Sequence, residues 1–120
     1  MQRDMDLVRS ILLEVEKLPA GNWDAVTGID GCDPAVFSGH VDLMKQAGLI
    51  EAAVPHADGV GPISARVFRL TWQGHDFLDA VRNESVWSKV KAKLGDALAT
   101  TPIDVIKALA ISFGMKAAGL

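Results

Sequence analysis

The segment DPAVFSGHVDLMKQAGLIE, residues 33–51, decides the fold of this 120-residue chain. Asp33 is a favourable N-cap, Pro34 fits a first helical turn and Gly48 suits a helix end, so the segment predicts a helix over residues 34–47. With an advance of about 100° per residue, one face of this helix is apolar and the other is polar. The apolar face holds Val36, Phe37, Val41, Leu43, Met44 and Ala47 together with His40, and the polar face holds Ser38, Gly39, Asp42, Lys45 and Gln46.

A β-hairpin is predicted immediately after this helix. Residues 49–54 and 65–70 have the composition of two strands, and residues 55–63 form the long tip between them. The tip contains two prolines and two glycines, which favour turns and oppose a continuous strand.

Four further helices are predicted from apolar residues at three- and four-residue spacing, over residues 4–18, 71–83, 84–94 and 102–118. Residues 20–32, by contrast, hold three glycines and are predicted mostly as loop. Whether a short helix or strand lies within that loop is left open by the pattern.

The order helix, loop, helix, β-hairpin, helix is that of a winged helix-turn-helix domain. We therefore predict an α+β fold with a winged-helix-like core over residues 1–83. A C-terminal helical extension, residues 84–120, is expected to pack on one core or to swap between two. A winged helix normally has its middle helix where residues 20–32 lie, so their loop-like composition argues against ordinary docking of residues 34–47 in a DNA groove.

The composition is that of one ordinary globular domain, with 49% hydrophobic and 22% charged residues. A formal net charge of −3 argues against a strongly cationic protein that binds nucleic acid or a membrane surface. The single cysteine, Cys32, cannot form an internal disulfide and fits a reducing compartment. Because no apolar run reaches the roughly 18 residues of a membrane span and no apolar signal core is present, we expect a cytoplasmic protein with no membrane association.

Four segments of the chain resemble those of a family of short bacterial and prophage proteins that is known only as a domain of unknown function. The segments are RDMDLVRSILLEVE (3–16), HVDLMKQAGLIE (40–51), RLTWQGHDFLDAVRN (69–83) and VWSKVKAKLG (86–95). The resemblance covers about residues 2–95 and implies a winged-helix-like fold in a bacterial or phage setting. It implies no catalytic residue and no ligand.

Residues that carry chemistry form no recognisable constellation. Cys32, His40, His56 and His75 show none of the CxxC, HxxxH or HExxH spacings of metal sites, and the glycines match neither a P-loop nor a dinucleotide-binding pattern. We therefore predict no enzymatic activity, no metal and no cofactor. His40 lies amid an apolar helix face, where a hydrogen-bonded core histidine is more common than a ligand or a base.

Binding to double-stranded DNA is the first of two predicted functions, because winged helices often bind DNA through the helix that precedes the hairpin. The polar face of residues 34–47 would enter the groove, and the hairpin would hold phosphates. Asp42 weakens this prediction, because its carboxylate repels phosphates, and residues 55–63 contain no Lys or Arg. The candidate contacts are Ser38, Lys45 and Gln46 on the helix and Arg66 and Arg69 on the hairpin.

A protein-interaction module without nucleic-acid binding is the second predicted function, because the last helix has two apolar stripes. Its main stripe, which includes Ile106 and Phe113, is expected to pack on the domain. Ile111 and Met115 start a second stripe about 160° away, which would face outward unless a partner covers it. We expect a homodimer through this stripe, since one patch on two copies makes a closed interface, with a host or phage protein as the other partner to consider.

Overall fold

Five α-helices enclose a small antiparallel sheet in the computed structural model, which describes residues 1–21 and 23–120. The α+β fold class predicted from the sequence is therefore confirmed. In chain order the elements are α1 (Met5–Glu16), α2 (Pro34–Gln46), β1 (Ile50–Ala53), β2 (His56–Ala57), β3 (Gly61–Pro62), β4 (Arg66–Leu70), α3 (Trp72–Val81), α4 (Glu84–Leu94) and α5 (Ile103–Ala117), with a 3₁₀ helix at Gly95–Thr100.

The first two helices begin where the sequence places capping side chains. The carboxylate of Asp4 accepts a hydrogen bond from the N–H of Leu7 at 3.1 Å, and that of Asp33 accepts one from Ala35 at 2.8 Å. Each bond satisfies a backbone donor that the first helical turn leaves unpaired. Gly48 follows α2 with a φ of +75°, a conformation that favours glycine and ends the helix. The helix predicted over residues 34–47 is thus confirmed.

β1 and β4 form the main antiparallel pair of the hairpin, and β2 and β3 pair at its tip. Glu51 lies opposite Arg69, but Ala52 lies opposite Val67, so the register shifts between the two pairs. Phe68 is the extra residue of this β-bulge, which bends the strand and resets the alternation of its side chains.

The loop before α2 adds a short strand-like segment to the other edge of β4. The N–H of Val26 donates to the carbonyl oxygen of Val67 at 3.0 Å, and the N–H of Val67 donates to that of Val26 at 2.9 Å. Residues 20, 21 and 23–32 contain no helix, as the predicted loop requires. The bridge at Val26 answers the question that the sequence left open, while Asn22 lies outside the described residues.

The hydrophobic core lies between α1, α2, α3 and the sheet, and α4 and α5 extend it. α1 contributes six buried side chains because its apolar residues recur at helical spacing. Trp87 on α4 is buried, and its indole Nε1 donates to the carboxylate of Asp6 on α1 at 2.8 Å. Ile106 and Ala110 of α5 are buried in the same cluster, so the C-terminal helices pack on the core within one chain.

α3 is anchored at the point where α2 ends and β1 begins. The hydroxyl of Thr71 donates to the carbonyl oxygen of Gly48 at 2.5 Å, and the N–H of Thr71 donates to that of Leu49 at 3.0 Å. Gly74, in the first turn of α3, lies against the same Leu49 carbonyl, and a Cβ at this position would overlap it. The close approach of α3 to the helix–strand junction therefore requires a glycine at residue 74.

Replacing Gly74 with alanine should lower the free energy of unfolding by about 1 to 3 kcal/mol, because the new methyl group forces a backbone carbonyl to move. Gly28→Ala is the matched control, since a Cβ at Gly28 meets nothing within 4 Å. Urea denaturation followed by tryptophan fluorescence measures both variants. Equal unfolding midpoints for Gly74→Ala and Gly28→Ala would contradict the close contact at Leu49.

Candidate nucleic-acid interface

The outward face of α2 is covered on two sides by other parts of the chain. Met1 lies over Gly39, where an added Cβ would be 2.7 Å from the Met1 sulfur. On the other side the hairpin tip reaches the helix, and Nε2 of His56 lies 3.5 Å from Oδ1 of Asp42. α2 therefore presents a narrow strip to solvent, where a DNA-reading helix needs a broad polar face.

Ser38 is not part of that strip, and the prediction that it faces outward is wrong. The residue is 3% exposed. Ser38 and Asp42 are one helical turn apart, so they share the side of α2 on which the hairpin tip lies. The tip, whose β3 strand packs on α2, leaves no room for Ser38 to contact a ligand in solution.

Lys45 and Gln46 are exposed at the C-terminal end of α2, as the helical pattern predicts. The Gln46 amide Nε2 donates to Oδ2 of Asp42 at 3.1 Å. Asp42 thus engages both His56 and Gln46, which leaves the Gln46 amide only partly available for a base edge. Within residues 1–21 and 23–120, Lys45 has no ion pair, so its ammonium group is free to meet a phosphate.

Arg66 and Arg69 both lie on the solvent side of β4 because of the bulge. In a regular strand, residues three apart point to opposite faces, but the extra residue Phe68 brings the two arginines to the same side. The guanidinium of Arg66 lies 5.6 Å from the centre of the Phe68 ring. Nε of Arg69 lies 3.1 Å from a carboxylate oxygen of Glu51 across the hairpin, which offsets part of its charge.

The hairpin tip exposes large apolar side chains. Val60 and Ile63 are large apolar residues with exposed side chains, and neither was predicted as a surface feature. The sequence contains a signal for this surface, because residues 55–63 hold two large apolar residues and no Lys or Arg. That composition is unusual for a hairpin tip that binds phosphates. Trp72, at the first position of α3, is also 80% exposed and was likewise missed.

A cleft of about 630 Å³ opens between the end of α1, β4 and α3, with Phe68, Arg69 and His75 among its lining residues. At its edge, Glu16 accepts hydrogen bonds from the two terminal nitrogens of Arg82 at 3.0 and 2.5 Å. These bonds hold the pKa of the Glu16 carboxyl below its usual range. An ionised carboxylate held in this way links α1 to α3 and is poorly suited to donate a proton.

Cys32 and His40, two of the residues considered for chemistry, lie in separate hydrogen-bonded settings. The Cys32 sulfur is 3.5 Å from the carbonyl oxygen of Asp33 and the side chain is half-buried. In the part of the chain that the structure describes, no three His, Cys, Asp or Glu side chains converge as a metal site would require.

His40 is 1% exposed, and both nitrogens of its ring are hydrogen-bonded. Nε2 accepts the N–H of Asp4 at 2.8 Å, so this nitrogen carries no proton. Nδ1 lies 2.8 Å from the carbonyl oxygen of Val36 and donates to it, since a carbonyl only accepts. The ring is therefore neutral and joins α2 to the start of α1, which confirms the predicted core histidine.

α5 exposes the second apolar stripe that its sequence predicts. Ile111 is 44% and Met115 49% exposed, while Ile106 is fully buried on the opposite side. Phe113 packs against the core but is only half-buried. The outward position of Ile111 and Met115 is therefore confirmed.

Comparison with known proteins identifies a family and a bacterial relative of the chain. Residues 2–100 match the family described as Hypothetical protein (DUF2513). A Haemophilus influenzae protein, described as uncharacterized, is 37% identical over 111 residues, which cover 92% of each chain. The resemblance inferred from the four sequence segments is confirmed by both matches. No solved structure matches the chain.

None of the helices in residues 1–21 and 23–120 has the length and apolar character needed to cross a membrane.

Replacing His40 with leucine should lower the free energy of unfolding by about 1 to 3 kcal/mol, because the N–H of Asp4 loses its acceptor. His75→Leu is the matched control, since His75 is exposed on α3 and should change stability by no more than about 0.5 kcal/mol. Thermal and urea unfolding measure both variants, and elemental analysis counts bound metal. A stable His40→Leu protein that has lost a metal ion would contradict the structural role.

Proposed function

The chain belongs to the family of hypothetical proteins DUF2513, and we propose that it is a non-catalytic bacterial regulatory protein of the winged-helix type that contacts double-stranded DNA. The H. influenzae relative, matched over nearly its whole length, supports the bacterial setting. The proposal concerns a binding protein, because the histidines, the lone cysteine and the Glu16 carboxylate are separated or engaged in structural bonds.

The arrangement of the elements supports the winged-helix interpretation. α2 runs directly into the hairpin, and β4 lies between β1 and the bridging residue Val26. α1 and α3 pack beneath this sheet, so α2 and the hairpin tip lie beside each other at one side of the molecule. The departure from the usual pattern is the segment before α2, which contributes a strand-like bridge where a middle helix is expected.

The observation that carries DNA binding is the β-bulge at Phe68. It turns both Arg66 and Arg69 toward solvent on the hairpin that follows α2, and such a pair of guanidinium groups suits phosphate contacts. The free ammonium group of Lys45 adds a third cation on the element before the hairpin. With about three phosphate contacts, the logarithm of the binding constant should fall with the logarithm of salt concentration with a slope of about −3.

The proposed contact is with the DNA backbone more than with base edges. Recognition helices read bases mainly with their N-terminal residues, and in α2 these are Pro34, Ala35 and Val36, which carry no polar side-chain atom. Farther along, Met1 covers Gly39. The protein should therefore distinguish duplex sequences weakly.

A protein-interaction module is the second candidate function, favoured by the apolar surface of α5. Ile111 and Met115 are exposed there, and Val105 on the same helix is half-exposed. Isolated exposed apolar side chains are common, but several on one helix face indicate a contact surface.

Charge substitutions near the hairpin test the DNA proposal. Lys45→Glu and Arg66→Glu should each weaken binding to duplex DNA and reduce the salt slope by about 1 or more, while Asp42→Asn should strengthen binding by removing a repulsive carboxylate. Fluorescence anisotropy of labelled random and source-genome duplexes, at about 50 and about 200 mM salt, measures each variant. Lys93→Glu, an equal charge change on exposed α4, is the control and should bind like the wild type.

Wild-type affinity should fall roughly 50-fold over that fourfold rise in salt. Equal affinity of wild type, Lys45→Glu and Arg66→Glu would reject the proposed surface. An absence of binding even at low salt would reject DNA as the partner and favour the interaction module.

A further inference from the structure

We propose that a second copy of this chain binds the outer face of α5, defined as Val105, Ala108, Ile111, Ser112 and Met115, in an antiparallel two-fold contact. The second copy would cover the exposed apolar side chains of α5, and this contact does not depend on DNA binding. Three features of the surface carry it: an uncovered apolar ridge, a groove beside that ridge, and charges of both signs around the groove.

α5 is covered by its own chain on one side only. Of its fifteen residues, Ile106 and Ala110 are the two that are buried, whereas the twelve-residue α1 buries six. On the outer face Val105, Ile111 and Met115 expose between 44% and 50% of their surface. With the exposed Ala108 between Val105 and Ile111, they follow one another at three- and four-residue spacing over about 15 Å of the helix axis, so they form a continuous apolar ridge.

A groove of about 540 Å³ runs beside this ridge, between α5 and α3. The ridge residues Ile111 and Met115 form one lip of the groove. Small residues lie along it, and they leave room for side chains of another helix: Ala80, Ala110, Gly114 and Ala118. The same surface thus carries a protruding ridge and a groove that can receive the ridge of another copy. An isologous interface between identical chains requires such a self-complementary shape.

The charges around the groove are complementary under a two-fold rotation. The α3 wall carries Asp76 and Asp79, and Lys107 of α5 lines the same groove. When the α5 helix of a second copy is seated in the groove, its Lys107 approaches the aspartates of the α3 wall, and the symmetric contact repeats the pairing. Asp79 already binds Arg82 at 2.6 Å. Asp76 and Lys107 have no ion pair in the described residues 1–21 and 23–120, so both are available.

This charge pattern distinguishes the α5 surface from the rest of the chain. Residues 1–83 contain seven Lys and Arg against twelve Asp and Glu, so two copies repel each other over most of their surface. Residues 84–120 contain five against three. Because the groove carries Asp76 and Asp79 on α3 and Lys107 on α5, charges of opposite sign from two copies can meet there. A contact built mainly on one helix is small, which predicts a dimer that dissociates in the micromolar range.

Sedimentation velocity over about 1 to 100 μM protein tests the proposal, a range centred on micromolar dissociation. The wild type should shift from monomer to dimer with concentration. The double variant Ile111→Lys, Met115→Lys should remain monomeric throughout, with the helical circular dichroism and melting temperature of the wild-type monomer. Val60→Lys, Ile63→Lys is the matched control, since it places the same two charges on exposed apolar residues of the hairpin tip. The control should dimerise like the wild type.

A charge-reversal pair tests the same interface without changing its apolar residues. Asp76→Lys and Lys107→Asp should each weaken the dimer by about tenfold or more, the scale of a lost or reversed charge pair. The two changes combined in one chain should restore it, because each reversed residue then faces its reversed partner on the other copy. The charge-reversal experiment tests the α5 interface even if the Ile111→Lys, Met115→Lys variant fails to fold.

A wild type that stays monomeric at the highest concentration would overturn the proposal. So would a dimer that persists in a folded Ile111→Lys, Met115→Lys variant, or a combined charge reversal that fails to recover what the single changes lose. Failure of DNA binding is a separate result, since the anisotropy measurement reports on Lys45 and Arg66 at the other surface.

Discussion

The structure depends on the junction at Gly48 and Leu49, where α2 ends, β1 begins and α3 is attached. Thr71 binds both backbone carbonyls of the junction, and Gly74 lets the first turn of α3 lie against Leu49. A left-handed glycine is needed at residue 48 to leave the helix, and a side chain is excluded at residue 74. The positions of α2, β1 and α3 relative to one another are therefore fixed, and the hairpin that follows β1 runs back along α2.

Local features of the chain could be predicted from sequence because they are determined by neighbouring residues. Asp33, Pro34 and Gly48 specify the bounds of α2 through capping and backbone preference, and the structure agrees. His40 was interpretable for the same reason, since an apolar helix face predicts a buried ring. The bulge was not predicted: Val67, Phe68 and Leu70 are all apolar, and the burial of Val67 and Leu70, three residues apart, became evident in the structure.

Contacts between distant parts of the chain could not be predicted from helical periodicity. Ser38 falls on the polar side of the helical wheel, but the fold of the hairpin tip onto α2 buries it, and nothing in the helix itself encodes that contact. The cover of Gly39 by Met1 and the engagement of Gln46 by Asp42 reduce the predicted DNA surface in the same way. What remains available is Lys45 together with Arg66 and Arg69, so the proposed contact is with the DNA phosphate backbone and lies away from the start of α2.

The proposed DNA-contact surface is tested by chemical-shift mapping of the amide signals during titration with a duplex of about 20 base pairs, which spans about two helical turns. We expect the largest changes in β4, around Arg66 and Arg69, and at the C-terminal end of α2 near Lys45. Residues 34–39, at the start of α2, should change little. Changes concentrated in residues 34–39, with β4 unaffected, would contradict the proposed surface and restore α2 as a base-reading helix.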